Sequence, residues 1–168
     1  MTGKQLFGSL MAVALMTGAG TALASGNSLA FFAVLTGEQE VPPVETDGSA
    51  RAVVFFDRGF TRVHVRIDLK GPLQVLAGHF HCGRPGVNGP VAFGIANPGP
   101  LMEITDPTRV TLTNDAFTGA DCVPIVGRPV NNIAALALAM RDGLIYLNLH
   151  TAEAPNGEVR GQMLELGR

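Results

Sequence analysis

Tryptophan is absent from these 168 residues, tyrosine occurs once, and charged side chains make up only 15% of the chain. No run of Lys and Arg interleaved with aromatics occurs, which argues against a nucleic-acid partner, since phosphate and base recognition draw on both. Twelve basic residues stand against 14 acidic ones, so no strong field of either sign recruits a polyanion or polycation. No Ser or Cys sits in a Gly-x-Ser-x-Gly turn and the carboxylates are dispersed, which removes the usual hydrolase arrangements. Past the first two dozen residues no apolar run is long enough to span a bilayer; the run at 133–140 is far too short.

What is present first is a leader. Lys4 supplies a positive start, residues 6–16 are apolar or small, and Ala22-Leu23-Ala24 offers the small-x-small pattern of signal-peptide cleavage. The expectation is a signal peptide over 1–24 and one domain over 25–168, periplasmic or secreted, with no membrane span in the mature chain. In that compartment the only two cysteines, Cys82 and Cys122, read as one disulfide. The rival reading of Cys82 as a copper thiolate lacks His and Met downstream at the needed spacing.

The remaining chain is rich in Val, Gly, Pro and Thr, a composition of short strands and tight turns. Period-two or continuous apolar segments predict strands at 29–36, 49–56, 61–70, 75–82, 91–96, 109–113, 144–151 and 158–166. The exception is 131–141, where an alanine- and leucine-rich run begins at a capping Asn131 or Asn132 and stops at Gly143, predicting one short helix. Five prolines in 97–130 predict a long irregular crossover. The fold class expected is all-β, a Greek-key-like sandwich or flattened barrel.

The chemistry lies in four histidines. Alternation along a strand sends Val63, Val65, Ile67 and Leu69 to the core and His64 outward with Arg66 and Asp68. The same logic turns His150 outward from Ile145, Leu147 and Leu149, and sets His79 and His81 opposite Phe80 and Cys82. A His-x-His pair on one strand face spaces two imidazoles about 7 Å apart at the backbone, near enough to grip one ion. His79, His81 and His150 are therefore candidate metal ligands, with His64 a fourth; its plainer reading is a solvated surface residue. Imidazole donors make copper the leading metal and zinc the alternative. Glu158, Arg160 and Gln162 fall on the side of Tyr146, Asn148 and His150. Glu158 and Asn148 are candidates to orient the imidazoles, and Arg160 to steer a small anion such as superoxide; a cross-strand ion pair that fixes the edge of the sheet is the plainer reading.

Three ordered motifs carry a resemblance. They are Leu35-Thr36-Gly37-Glu38-Gln39-Glu40-Val41-Pro42-Pro43-Val44; Gly78-His79-Phe80-His81-Cys82-Gly83 with Gly86-Val87-Asn88-Gly89-Pro90-Val91; and Tyr146-Leu147-Asn148-Leu149-His150-Thr151 with Gly157-Glu158-Val159-Arg160-Gly161-Gln162. Together they resemble the CHRD domain, the module first described in chordin, over roughly residues 31–163. That resemblance implies an extracellular β-rich domain whose histidine motifs fall on His79, His81 and His150. More distantly, residues 71–83 are similar to the copper strand of Cu/Zn superoxide dismutases, which implies a copper-only site outside a β-barrel. The functional expectation is an exported metal-binding domain, acting as carrier or as a superoxide dismutase-like oxidoreductase. The competing class is an extracellular protein-interaction or cell-envelope module with no metal.

Overall fold

The computed structural model describes residues 29–95, 107–114, 117 and 120–167. The expected signal peptide, the end of the strand at 91–96 and much of the 97–130 crossover lie outside them. Strands form where alternation was strongest: β1 (Ala30–Thr36), β2 (Ser49–Phe56), β3 (Arg62–Lys70), β4 (Val75–Cys82), β5 (Val91–Gly94), β6 (Thr108–Thr113) and β7 (Ile145–Thr151). The last expected strand divides into β8 (Val159–Gln162) and β9 (Leu164–Glu165), because Met163 turns into the core between them.

All of these pair antiparallel in one curled sheet of order β5-β4-β7-β8-β1-β2-β3-β6, with β9 added beside β1. The all-β, barrel-like class therefore holds, built from a single continuous sheet. Its inner face gathers Phe31 and Leu35 of β1, Val54 and Phe56 of β2, Val65 and Ile67 of β3, Phe80 of β4, and Leu147 and Leu149 of β7. Those of β3, β4 and β7 are positions that strand alternation turned inward.

Among the described residues two α-helices pack against this core. In α2 (Ile133–Arg141) the Asn132 side chain caps the start by accepting from the Ala135 N–H at 2.8 Å, and Gly143 leaves the helix with φ of 69°. Its Ile133, Leu136 and Met140 pack into the core, burial of the size that stabilises by about 2 kcal/mol per side chain. The other helix, α1 (Val123–Val126), is a single turn with Pro124 in its first turn, unexpected from sequence. It follows directly on Cys122, which is disulfide-bonded to Cys82 of β4.

Candidate metal centre

β4 and β7 are neighbours in the sheet, and their register decides which side chains meet. His79 lies opposite Asn148, His81 opposite Tyr146, and Ala77 opposite His150. His150 is therefore the diagonal neighbour of His79, within reach of a ring across two strands. A register shift between Phe80 and His81 on the β5 side bends the strand where His81 departs.

Three imidazoles from two strands thus converge. The His79 and His150 ring centroids are 4.8 Å apart, His79 and His81 5.8 Å, and His81 and His150 6.3 Å. One nitrogen from each ring can be chosen so that all three lie within 4.8 Å of one another. Tetrahedral coordination with bonds of about 2.0–2.1 Å asks for ligand atoms about 3.3 Å apart, so the rings would have to draw closer around an ion.

Backbone carbonyls set the tautomers. His81 Nδ1 lies 2.9 Å from the Gly89 carbonyl and His150 Nδ1 3.0 Å from the Pro155 carbonyl. A carbonyl only accepts, so both rings carry their proton on Nδ1 and present a bare Nε2. The His81 Nε2 is buried and meets no donor among the described residues. The His150 Nε2 faces His79 Nδ1 at 2.9 Å, and His79 donates to it.

All three rings are held neutral. Burial, then the neighbouring His150 and His81, push His79 down to about 4. Burial is also the main cause lowering His81, partly offset by the Gly89 carbonyl, with His150 and Arg160 adding to the fall. His150 is lowered by burial against the pull of the Pro155 carbonyl. Neutral imidazole is the form that binds metal.

The face carrying these rings is not the open surface that alternation suggested. The loop 83–90 folds across it, and every residue of β7 except His150 is buried. Gly89 sits so close that a side-chain carbon there would lie 1.6 Å from the Cys82 carbonyl oxygen. The Gly89 N–H donates to the Tyr146 hydroxyl at 3.1 Å, and Asn88 Nδ2 donates to the Val41 carbonyl at 2.7 Å.

That loop explains the other expected site residues. Arg160, only 2% exposed, donates to Asn88 Oδ1 at 3.0 Å and to the Arg84 and Val87 carbonyls at 3.2 and 2.8 Å. Its Cζ lies 3.5 Å over the Tyr146 ring, which in turn stacks on His81 at 4.9 Å and 8°. Since β7 runs between β4 and β8, Tyr146 lies between Arg160 and His81. Arg160 thus secures the covering loop, and an anion-steering part gains no support from this geometry. Glu158 neither pairs with Arg160 nor touches a histidine among the described residues: it accepts from Thr46 Oγ1 at 2.6 Å and from Thr151 Oγ1. Asn148 is buried beside His79 in register, its Oδ1 without a partner, and Gly157 (φ 127°) packs on its amide. His64 is not brought to the centre; it is exposed on β3 and bonds Thr111 Oγ1 at 2.8 Å.

Sequence reasoning missed the carbonyls of Gly89 and Pro155 and the stacking part of Tyr146. Tyr146 was on the correct face, and the Gly-Pro step at 89–90 was the one hint of a close backbone approach. Among the described residues no helix is long and apolar enough to cross a membrane. Comparison with curated proteins and with solved structures finds no match. The family profile described as CHRD domain matches residues 31–163, the stretch that carries all nine strands except the first residue of β1 and the two of β9. The chain belongs to the CHRD domain family.

Proposed function

We propose that this protein is an exported transition-metal carrier or metal-stabilised domain whose centre is His79, His81 and His150, with copper as its ion. The observation that carries the reading is the buried, donorless Nε2 of His81 in a cluster of three neutral imidazoles. An unpaired buried nitrogen costs about 1–3 kcal/mol and calls for an occupant. The donor set is all imidazole, which suits copper and zinc, and copper binds such nitrogen sites more tightly than zinc does. Carbonyls already orient His81 and His150, and an ion would replace the His79 proton at His150 Nε2.

Export is supported by the leader pattern of residues 1–24 and by a disulfide, which persists in oxidising compartments. A superoxide dismutase-like turnover receives less support, because Arg160 is closed in behind Tyr146. A second reading, a protein-interaction module, draws on the outward face where Val34, Phe55 and Leu164 are exposed. Those residues lie on β1, β2 and β9, and the histidines on β4 and β7, so substitutions can test the two readings separately.

The test is a copper titration of the exported protein followed by equilibrium dialysis. One equivalent is expected to bind and to quench the fluorescence of Tyr146, the only tyrosine in a chain without tryptophan. Replacing His79 and His81 by Ala is expected to abolish both. Substoichiometric binding, or binding unchanged by the replacements, rejects the centre.

A further inference from the structure

We infer that the centre selects monovalent copper over divalent copper and zinc, and that the Arg160 guanidinium stacked behind Tyr146 sets this preference. The inference rests on the metal-binding reading above and specifies its ion. Its ground is the charge inventory of the site. Arg160 opposes added positive charge at His81, and His79 is opposed by His150 and His81. Glu158 is turned away to Thr46 and Thr151, and among the described residues no Asp or Glu joins the cluster.

Arg160 cannot move out of the way. Three acceptors on the loop 83–90 hold it, and it is stacked on Tyr146 as Tyr146 is stacked on His81. A fixed positive charge therefore sits one aromatic ring behind a ligand, in a half-buried setting that screens it weakly. Taking an ion out of water costs free energy that rises with the square of its charge, and repulsion by Arg160 rises in proportion to that charge. With three neutral ligands and no carboxylate among them, a divalent ion keeps both charges at the site and a monovalent ion only one. Geometry alone does not discriminate; the charge does.

Glu40 is the group that tempers this field. It is 6% exposed and lines, with Arg160 and Gln162, a cavity of about 210 Å³ to which none of the three histidines contributes. Arg160 favours its ionised form against a larger penalty from burial, and its Oε1 has no hydrogen-bond partner. Glu40 touches none of the imidazoles, so replacing it changes the charge behind the site and leaves the ligands alone.

The experiment is a set of chelator competitions at pH 8, with Cu(I) kept reduced by ascorbate under anaerobic conditions and with Cu(II) and Zn(II) in parallel. Wild type is expected to hold Cu(I) at least tenfold more tightly than Zn(II). Glu40→Gln is expected to widen the Cu(I)-to-Zn(II) ratio about threefold, and Arg160→Gln to narrow it about tenfold. Arg160→Lys, which keeps the charge, separates electrostatics from any loosening of the loop and is expected to stay near the wild-type ratio. Zn(II) bound as tightly as Cu(I), or a ratio unmoved by Glu40→Gln, overturns the selectivity while leaving a metal site in place. Failure to bind any of the three ions strikes the metal-binding reading itself.

Discussion

Three imidazoles crowded on one half-buried face have a consequence that can be measured without any metal. His79 is pushed down to about 4, by burial first and then by its two neighbours. An unfolded chain protonates this ring near 6.5, whereas the folded one resists until about 4. The folded state therefore binds fewer protons over that window, and stability falls as pH drops from about 6.5 to 4. The loss from His79 is at most about 2 kcal/mol once its partial exposure is allowed for. Urea unfolding of metal-free protein at pH 7, 5.5 and 4.5 is expected to show this decline, and His79→Gln to flatten it. Glu40 works in the opposite sense: burial raises it to about 7 from 4.5, so its cost is absent below about 4.5 and grows as pH rises to 7. Glu40→Gln is expected to stabilise the protein by about 1–3 kcal/mol above pH 7 and by nothing at pH 4. Equal stabilisation at both pH values would contradict the burial of an ionised carboxylate. At this scale the histidines were legible, because strand alternation fixes a side chain's face without knowledge of the partner strand. The true parts of Arg160 and Glu158 were not, since their partners Asn88, Arg84, Val87 and Thr46 are more than 70 residues away in the chain.

Among the elements, the loop 83–90 matters most to the centre. It supplies the carbonyl that fixes His81, the acceptors that hold Arg160, and the cover over β7. Gly89→Ala would force a methyl onto the Cys82 carbonyl, so the loop must move and His81 lose its acceptor. Copper affinity is expected to fall about tenfold or more, the usual effect of losing a ligand's orienting partner. Asn132→Ala, which removes only the cap of α2, is expected to cost about 1 kcal/mol of stability and leave copper affinity unchanged. Strands such as β2 and β4 were legible to the residue, because alternating or continuous apolar runs bounded by turn residues admit little else. The turn of α1 was not: four residues are too few to show a helical period, and the disulfide at Cys122 holds it in place. The loop's path across the outer face was equally hidden, because it is dictated by distant acceptors and not by its own pattern.

At the scale of the molecule, one sheet and one core couple the site to the stability of the whole. The disulfide joins Cys82, next to His81, to Cys122 across 40 residues of sequence. In the chain-entropy model such a closure stabilises by about 4 kcal/mol. Replacing both cysteines by Ala is expected to lower unfolding free energy by about 2–4 kcal/mol, read by denaturant titration. Bound copper is expected to restore part of that loss, since an ion held only by the folded state stabilises it by mass action. The all-β class was legible from composition and turn spacing. That the strands form one continuous curled sheet was not, because sequence patterning gives faces but not neighbours.

X-ray absorption at the copper edge of stoichiometrically loaded protein tests the central claim most directly. The account predicts three imidazole nitrogens at about 2 Å and no sulfur, with one imidazole lost in each of His79→Ala, His81→Ala and His150→Ala. A coordination shell of oxygen alone, or a spectrum that survives those replacements, would contradict it.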